Sequence, residues 1–108
     1  MLEISPWKVA QVVLMSRELG RAEGELRAFI ERLNEDEQAS LVAVMWVGRE
    51  AFASDELLEA IHTAKTENTV PTADYLLGSP HLSDHLESGM EELGMSLSDE
   101  ENDLMRRG

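Results

Sequence analysis

The segment ASLVAVMWVG, residues 39–48, constrains the fold more than any other part of this 108-residue chain. It is apolar on almost every side, so other elements have to cover it all round. It is also too short to span a membrane. Glu35, Asp36 and Glu37 precede it, and negative charge stabilises a helix N-terminus because that end of the helix dipole is positive. We therefore predict a central apolar helix near 35–49, with Asn34 as its cap.

Cap residues and apolar periodicity predict further helices on both sides of this segment. They cover 5–19, 25–33 and 54–68, a short helix over 72–77, and a last helix that starts at Ser79-Pro80, carries Leu82, Leu86, Met90 and Leu93, and is closed by Gly94. The predicted fold is all-α, a compact bundle of about five helices plus one short helix. Residues 1–94 form one helical domain, and the acidic tail 95–108 is expected to be flexible and undocked.

Serines and glycines predict where these helices start and stop. Ser5, Ser54 and Ser79 are expected as N-caps, two of them followed by proline at the first helical position. Gly20 is expected to end the first helix and Gly78 the short one, the latter with positive φ. Asn68 and Thr69 are expected to end the helix that begins at Ser54.

The same periodicity predicts which side chains face the core. The inward-facing residues are Trp7, Ala10 and Leu14, with Val9 and Val13 beside them; Leu26, Phe29, Ile30 and Leu33; Leu57, Leu58, Ile61 and Ala64; and Leu82, Leu86, Met90 and Leu93. Trp46 lies inside the most apolar run and is expected in the core. Tyr75 is expected to be half-buried, with its hydroxyl in water.

Charge excludes several classes of partner. The chain carries a formal net charge of −13, and no Lys or Arg lies between Lys65 and Arg106. Such a field repels phosphate backbones and anionic membranes, so neither direct nucleic-acid binding nor membrane docking is expected. A basic protein or a divalent cation would be attracted. The simpler interpretation is that the charge only keeps the protein in solution.

His81, Asp84 and His85 form the one candidate metal site. Two histidines four residues apart can point the same way from a helix, which is the spacing of helical zinc sites. The motif HLSDH lacks the glutamate of metalloprotease HExxH motifs. A third ligand would have to come from elsewhere, for example from Asp74, Glu87 or His62. The simpler interpretation is a solvated helix face.

Other chemical motifs are missing from the sequence. It contains no Gly-x-Ser-x-Gly nucleophile motif and no glycine-rich phosphate loop, and the acidic tail does not have the spacing of an EF-hand. No catalytic residue and no cofactor are therefore predicted, and the sequence leans away from an enzyme. There is no cysteine, and Glu3 stands where an export signal needs basic residues, so we expect a cytoplasmic protein.

Three segments together resemble a family of short bacterial proteins, mainly from proteobacteria, which is catalogued only as a domain of unknown function. They are ISPWKV at 4–9, FIERLNEDEQASLVAVMWVGR at 29–49 and PTADYLLGSPHLSDHLESGMEELG at 71–94. The resemblance covers most of residues 2–94 and implies a small helical domain. It implies no activity, cofactor or catalytic residue.

Three functional hypotheses follow. The first is a non-enzymatic protein-interaction module that binds an unidentified partner or a second copy, because two helices look apolar on more than one face and a small domain buries only part of its surface. The second is a metal-binding protein or metal-dependent enzyme that uses His81, Asp84 and His85. The third is an acidic decoy of nucleic-acid-binding surfaces, based on the base-free stretch 66–105.

Overall fold

The structure, a computed structural model, describes residues 4–67 and 70–95 of the chain. Within these residues it contains six α-helices and no strand, so the all-α prediction is confirmed. The helices are α1 (Pro6–Ser16), α2 (Leu19–Arg32), α3 (Glu35–Gly48), α4 (Leu57–Thr66), α5 (Thr72–Leu77) and α6 (Leu82–Glu92). Asn68, Thr69 and residues 96–108, on which the predicted end of α4 and the predicted tail depend, lie outside the described residues.

The central helix is α3, as predicted. It packs most closely against α6 and α4, and it also contacts α5. Every residue from Ala39 to Met45 is buried, and so is Val47. A capping box starts the helix: the Asn34 side chain accepts from the backbone N–H of Glu37 at 2.8 Å, and the Glu37 carboxylate accepts from the backbone N–H of Asn34 at 3.0 Å.

Two glycines let α3 and α6 approach backbone to backbone. A Cβ atom on Gly48 would lie 1.6 Å from the carbonyl oxygen of His85, and one on Gly89 would lie 2.1 Å from the carbonyl oxygen of Val44. Neither oxygen can move aside, because both belong to the backbone of a helix. Side chains of any size are therefore excluded at Gly48 and Gly89 in this packing.

Helix α1 is covered on one side only. Val9, Val12 and Val13 are fully buried against α2 and α6, whereas Trp7 is 42% exposed and Leu14 is 50% exposed. The prediction that Trp7 and Leu14 face the core is wrong, because the valine face and not the Trp7 face meets the neighbouring helices. Ser5 is an N-cap as predicted, and its side chain accepts from the backbone N–H of Lys8 at 3.3 Å.

The turn after α1 comes earlier than predicted. Helix α1 ends at Ser16, and Gly20 lies inside α2 instead of ending α1. Helix α2 therefore begins at Leu19, six residues before the predicted start at 25. Its predicted stripe is confirmed, since Leu26, Ile30 and Leu33 are buried and Phe29 packs against them.

The predicted start of α4 needs correction. Ser54 does not cap the helix: it begins a 3-10 turn, Ser54–Glu56, whose N-cap is Ala53, and the N-cap position of α4 is Glu56. The Glu56 carboxylate instead accepts from the backbone N–H of Ala53 at 2.8 Å. Ile61 is buried as predicted, but Leu58 is 66% exposed, because it points away from α3.

The corner between α5 and α6 is also built differently from the prediction. Gly78 has φ −84°, so it is not left-handed; the left-handed residue is His81, with φ 57°. Ser79 donates its hydroxyl hydrogen to the carbonyl of Tyr75 at 2.8 Å and therefore does not cap α6. The chain reverses at His81, and α6 starts one residue later. Gly94 follows α6 with φ 81°.

Candidate functional site

The exposed face of α1 forms the first candidate surface. Trp7, Gln11 and Leu14 are spaced by four and three residues, so they lie on one side of the helix. Beside them, an open groove runs between α1 and α2. Its walls include Met15 of α1 and Phe29 of α2. We call this combined surface the α1–α2 face. It places an exposed tryptophan, an exposed leucine and two partly buried large apolar side chains next to one another.

Two opposite charges lie at the two ends of this groove. Glu25 and Arg32 both line it and are seven residues apart on α2, which is about 10 Å along the axis of the helix. Ala28 lies between them on the same side of α2. Neither Glu25 nor Arg32 takes part in an ion pair among the described residues. The groove therefore has one acidic end and one basic end.

The second candidate is a cavity between α3, α4 and α5, with a volume of about 160 Å³. Its apolar lining consists of Ala39, Val42, Trp46, Ala64 and Val70. Its polar lining consists of Glu35, Gln38, Lys65, Glu67, Thr72 and Tyr75. The lining is thus about half apolar and half polar, and small-molecule sites combine apolar walls with polar groups that orient the ligand. We call it the α3–α5 cavity.

Trp46 and Tyr75 form the aromatic wall of the α3–α5 cavity. The Trp46 indole N–H donates to the Tyr75 hydroxyl at 2.9 Å, and the Arg49 guanidinium donates to the same oxygen at 3.4 Å. Phe52 stacks on Trp46 with ring centroids 5.6 Å apart. Trp46 is only half-buried, so its predicted place in the core is only partly correct. The Tyr75 hydroxyl, predicted to be in water, accepts two hydrogen bonds, one from Trp46 and one from Arg49.

Two polar side chains that line the cavity, Gln38 and Thr72, have hydrogen-bonding groups that could bind a ligand. Thr72 is only 9% exposed, and its hydroxyl makes no hydrogen bond within the described parts of the chain. The Gln38 amide nitrogen donates to the carbonyl of Ile30 at 2.9 Å, which leaves its oxygen as an acceptor. Lys65 forms an ion pair with Asp36 at 2.5 Å. Glu35 and Glu67 are exposed and form no ion pair among the described residues.

The predicted metal residues lie on the surface at the start of α6. The side chains of His81 and Asp84 are both about three-quarters exposed, and His81 Nδ1 is 4.0 Å from Asp84 Oδ2. The imidazole rings of His81 and His85 are 6.4 Å apart and nearly perpendicular. Residues 4–67 and 70–95 contain no group of three or more His, Asp or Glu side chains placed to hold a metal ion.

The three proposed additional ligands are engaged or remote. Glu87 pairs with Arg17, directly after α1, at 2.5 Å, and Asp74 pairs with Arg27 of α2. His62 is exposed on α4, a helix that makes no extensive contact with α6. The metal hypothesis stays a prediction from the sequence, with His81, Asp84 and His85 as its residues.

An ion pair joins α1 to the start of α3. Lys8 Nζ lies 2.5 Å from the Glu37 carboxylate, whose side chain is 14% exposed. The Lys8 ammonium and the backbone N–H of Asn34 both donate to this carboxylate, and together they hold the pKa of Glu37 below its ordinary value. The Glu37 carboxylate therefore serves both as a helix cap and as the partner of a cation on α1.

A family model described as "Protein of unknown function (DUF3775)" matches residues 23–95, more than half of the chain. The chain belongs to the DUF3775 family. The resemblance predicted from the sequence is confirmed in this respect. Neither the search of curated proteins nor the search of solved structures found a match.

The two candidate surfaces differ in their relation to the DUF3775 match. All residues that line the α3–α5 cavity lie within the matched range, whereas α1 lies outside it. The α1–α2 face is therefore composed partly of DUF3775 residues and partly of the preceding helix. Among the described residues, no helix has the length and apolar character needed to cross a membrane.

Sequence reasoning singled out the histidines and an extra apolar face on the helix at 5–19, but it located neither the α1–α2 groove nor the α3–α5 cavity. The α1–α2 face could have been found, because Trp7, Gln11 and Leu14 share a helical stripe that the more apolar valine stripe outcompetes for burial. The cavity could not have been found, because its walls come from three helices whose relative positions depend on Gly48 and Gly89.

Proposed function

We propose that this DUF3775 protein is a non-enzymatic protein-interaction module that forms a homodimer through its α1–α2 face. The observation that carries the proposal is the exposure of Trp7 and Leu14 on one stripe of α1, at 42% and 50%. Clustered large apolar side chains on a small domain mark interaction surfaces, and tryptophan is enriched at the centres of such interfaces.

The neighbouring side chains suit an adaptable contact. Met15 and Phe29 line the groove beside Trp7 and are partly buried against the core. Methionine has no branch and can repack against different shapes. An aromatic or leucine side chain from a partner would find an apolar floor in this groove, with charged residues at its rim. This arrangement of apolar centre and polar rim is typical of protein interfaces.

The charges at the groove favour a second copy as the partner. In a twofold-symmetric interface, residue i of one copy contacts residue j of the other, and residue j contacts residue i. A twofold axis near Ala28, perpendicular to α2, would bring Glu25 of each copy opposite Arg32 of the other. Two ion pairs then form at the rim from charges that have no partner among the described residues of one copy.

The net charge of −13 would oppose self-association, but this charge is unevenly distributed along the chain. Residues 1–34 contain five acidic and five basic residues, so they are neutral, whereas residues 35–108 contain 17 acidic and four basic residues and carry the whole charge of −13. Contact through α1 and α2 therefore joins the neutral stretches of two copies. Contact through the other helices would press two acidic surfaces together.

The proposal includes a bacterial and cytoplasmic setting, which agrees with the family resemblance and with the absence of cysteine. The role as an acidic decoy of nucleic-acid-binding surfaces, drawn from residues 66–105, stays a prediction. If it held, binding to a basic protein would weaken steeply with salt, because exposed charges are screened.

Light scattering after size-exclusion chromatography tests the dimer with matched variants. The wild-type mass should rise from the monomer value towards twice that value as concentration increases. Leu14→Glu, in the centre of the α1–α2 face, should stay monomeric. Leu58→Glu is the control, since Leu58 is exposed on α4 and should leave the mass curve unchanged. A wild-type protein that stays monomeric at all concentrations, or equal curves for both variants, would contradict the proposal.

A further inference from the structure

The α3–α5 cavity has the volume of a site for one small ring. An engineered apolar cavity of about 150 Å³ in another protein binds benzene, and the α3–α5 cavity measures about 160 Å³. Unlike that enclosed cavity, it opens to the surface and carries polar groups. Its apolar part can accept a body of about six to eight non-hydrogen atoms, by comparison with benzene.

The polar groups of the cavity are mainly acceptors. Gln38 offers its amide oxygen and Thr72 its hydroxyl, since the Gln38 nitrogen is already engaged and the Thr72 hydroxyl is free of hydrogen bonds within the described residues. The carboxylates of Glu35 and Glu67 add two negative charges at the rim. The cation of the lining, Lys65, faces the carboxylate of Asp36 at 2.5 Å. The lining and this ion pair together therefore carry an excess of negative charge.

Burial makes the Thr72 hydroxyl the most informative of these groups. Its residue is more than nine-tenths buried, but no fully buried side-chain oxygen or nitrogen among the described residues lacks a hydrogen-bond partner, so the hydroxyl itself is accessible. Thr72 lines the cavity, so a group bound there can donate a hydrogen bond to its hydroxyl. Since Gln38 is also left with an unused acceptor, a ligand with several N–H donors matches the cavity better than an acid does.

We propose that the α3–α5 cavity binds a small organic cation, in which an ammonium or guanidinium group is attached to an apolar body about as large as one ring. The apolar body packs against Val42 and Trp46. The cationic group donates hydrogen bonds to Gln38 and Thr72 and faces the carboxylates of Glu35 and Glu67. Tryptophan and tyrosine rings in the wall add attraction for a cation that lies over a ring face.

This site is independent of the proposed dimer. No residue of the α1–α2 face lines the cavity, and α1 does not contribute to it. A monomeric protein could bind the cation, and a dimer could form with an empty cavity. The two proposals therefore fail in different experiments.

Fluorescence of Trp46 provides a direct test. In a Trp7→Phe variant, Trp46 is the remaining tryptophan and reports on the cavity alone. Three probes of similar shape are titrated: benzylamine, which is a cation at neutral pH, benzyl alcohol, which is neutral, and benzoate, which is an anion. Benzylamine should change the emission saturably, with a Kd on the order of 1 mM for a ligand of this size. Its affinity should exceed those of the other two and should fall as salt is added.

Matched variants locate the binding. Ala64→Met fills the cavity and should abolish saturable binding of benzylamine. Replacing both rim carboxylates, Glu35→Gln with Glu67→Gln, should weaken it about threefold to tenfold, as expected for two exposed charge contacts. Glu59→Gln removes an exposed carboxylate on α4 outside the cavity and should leave the affinity unchanged. Circular dichroism melting of each variant confirms that it is folded.

Three results would contradict the binding of a cation in the α3–α5 cavity. No saturable response to benzylamine, equal binding of the three probes, or equal affinity in the Ala64→Met variant would each overturn the proposal. N-acetyl-arginine amide, titrated in the same way, distinguishes the source of the cation. If it binds more tightly than benzylamine, the ligand is an arginine side chain of a partner, and if it binds more weakly, the ligand is a free amine.

Discussion

Helices α1 and α3 both consist largely of apolar residues, yet they are buried to different extents. Helix α3 has α4, α5 and α6 around it, and every residue from Ala39 to Met45 is buried. Among the described residues, helix α1 packs mainly against α2 and α6, meets α3 through the Lys8–Glu37 ion pair, and leaves Trp7 and Leu14 exposed. The number of neighbouring helices, and not the apolar content of a helix, decides which one keeps a face for a partner.

The means of enclosure also differ. Helix α3 lies against α6 at Gly48 and Gly89, where the backbones touch and leave no space between the two helices. Helix α1 presents valines to its neighbours and leaves Trp7 and Leu14 exposed. Helix α3 is therefore closed on its α6 side and accessible on the side that lines the α3–α5 cavity, whereas α1 keeps an open apolar face.

The largest expected effect concerns the enclosure of α3. Gly89→Ala should lower the free energy of unfolding by about 3 kcal/mol or more, the upper range for overpacking, because its Cβ meets the backbone of Val44. Urea denaturation measures the loss. Gly24→Ala is the matched control: it lies in α2, a Cβ there has no atom within 4 Å, and it should stabilise by about 0.5–1 kcal/mol. Equal stabilities for both variants would show that α3 and α6 do not touch at these glycines.

The next largest effect concerns the hydrogen bond between Trp46 and Tyr75 on the cavity side of α3. Trp46→Phe and Tyr75→Phe each remove one half of the 2.9 Å hydrogen bond and should cost about 1 kcal/mol each. The double variant should cost less than the sum, since the second change finds no bond to break. Strict additivity in urea denaturation would mean that the bond contributes nothing. Trp46→Ala should cost less than the about 3–5 kcal/mol typical of a fully buried aromatic, because Trp46 is half-buried.

A smaller effect concerns the ion pair that links α1 to α3. The pKa of Glu37 is lowered in the folded protein, so its contribution is complete above the ordinary pKa of glutamate and is lost as pH falls through the lowered value. Glu37→Gln keeps a capping box but loses the pair with Lys8. The wild type should be more stable than this variant at about pH 6, and the difference should shrink towards about pH 3. A difference that stays constant with pH would show that the pair is not formed.

The smallest expected effect concerns the histidines of α6, the helix that packs against both α1 and α3. His81 and His85 are largely exposed or half-exposed, so the double change to alanine should alter stability by about 0.5 kcal/mol or less per residue. Added zinc should leave the Tm of the wild type unchanged. A zinc-dependent rise in Tm that the double variant lacks would favour the metal hypothesis, because ligands of the folded state stabilise it.

The sequence predicts what short-range patterns control. The central helix with its cap at Asn34 follows from an apolar run after three acids, and the stripe at Leu26, Ile30 and Leu33 follows from helical spacing. The corners are less predictable, because several residues there could take the turn: the structure uses His81, and not Gly78, for the left-handed position.

The candidate sites depend on long-range packing, which the sequence indicates only in part. The spacing of Trp7, Gln11 and Leu14 marks a second stripe on α1, but which stripe meets α6 depends on the packing of the helices. The α3–α5 cavity depends on how three helices diverge, and it leaves no local pattern in the sequence. The acid and base at Glu25 and Arg32 are visible in the sequence, but their place at the two ends of one groove is not.

Charge exchange at the α1–α2 face tests the proposed twofold dimer most directly. Glu25→Lys alone and Arg32→Glu alone each place like charges opposite one another across the axis, so each variant should dimerise more weakly than the wild type. In an equimolar mixture, Lys at 25 faces Glu at 32 and Arg32 faces Glu25, so sedimentation equilibrium should show the dimer restored as a mixed species. Variants that dimerise like the wild type, or a mixture no stronger than either variant alone, would contradict self-association through this face.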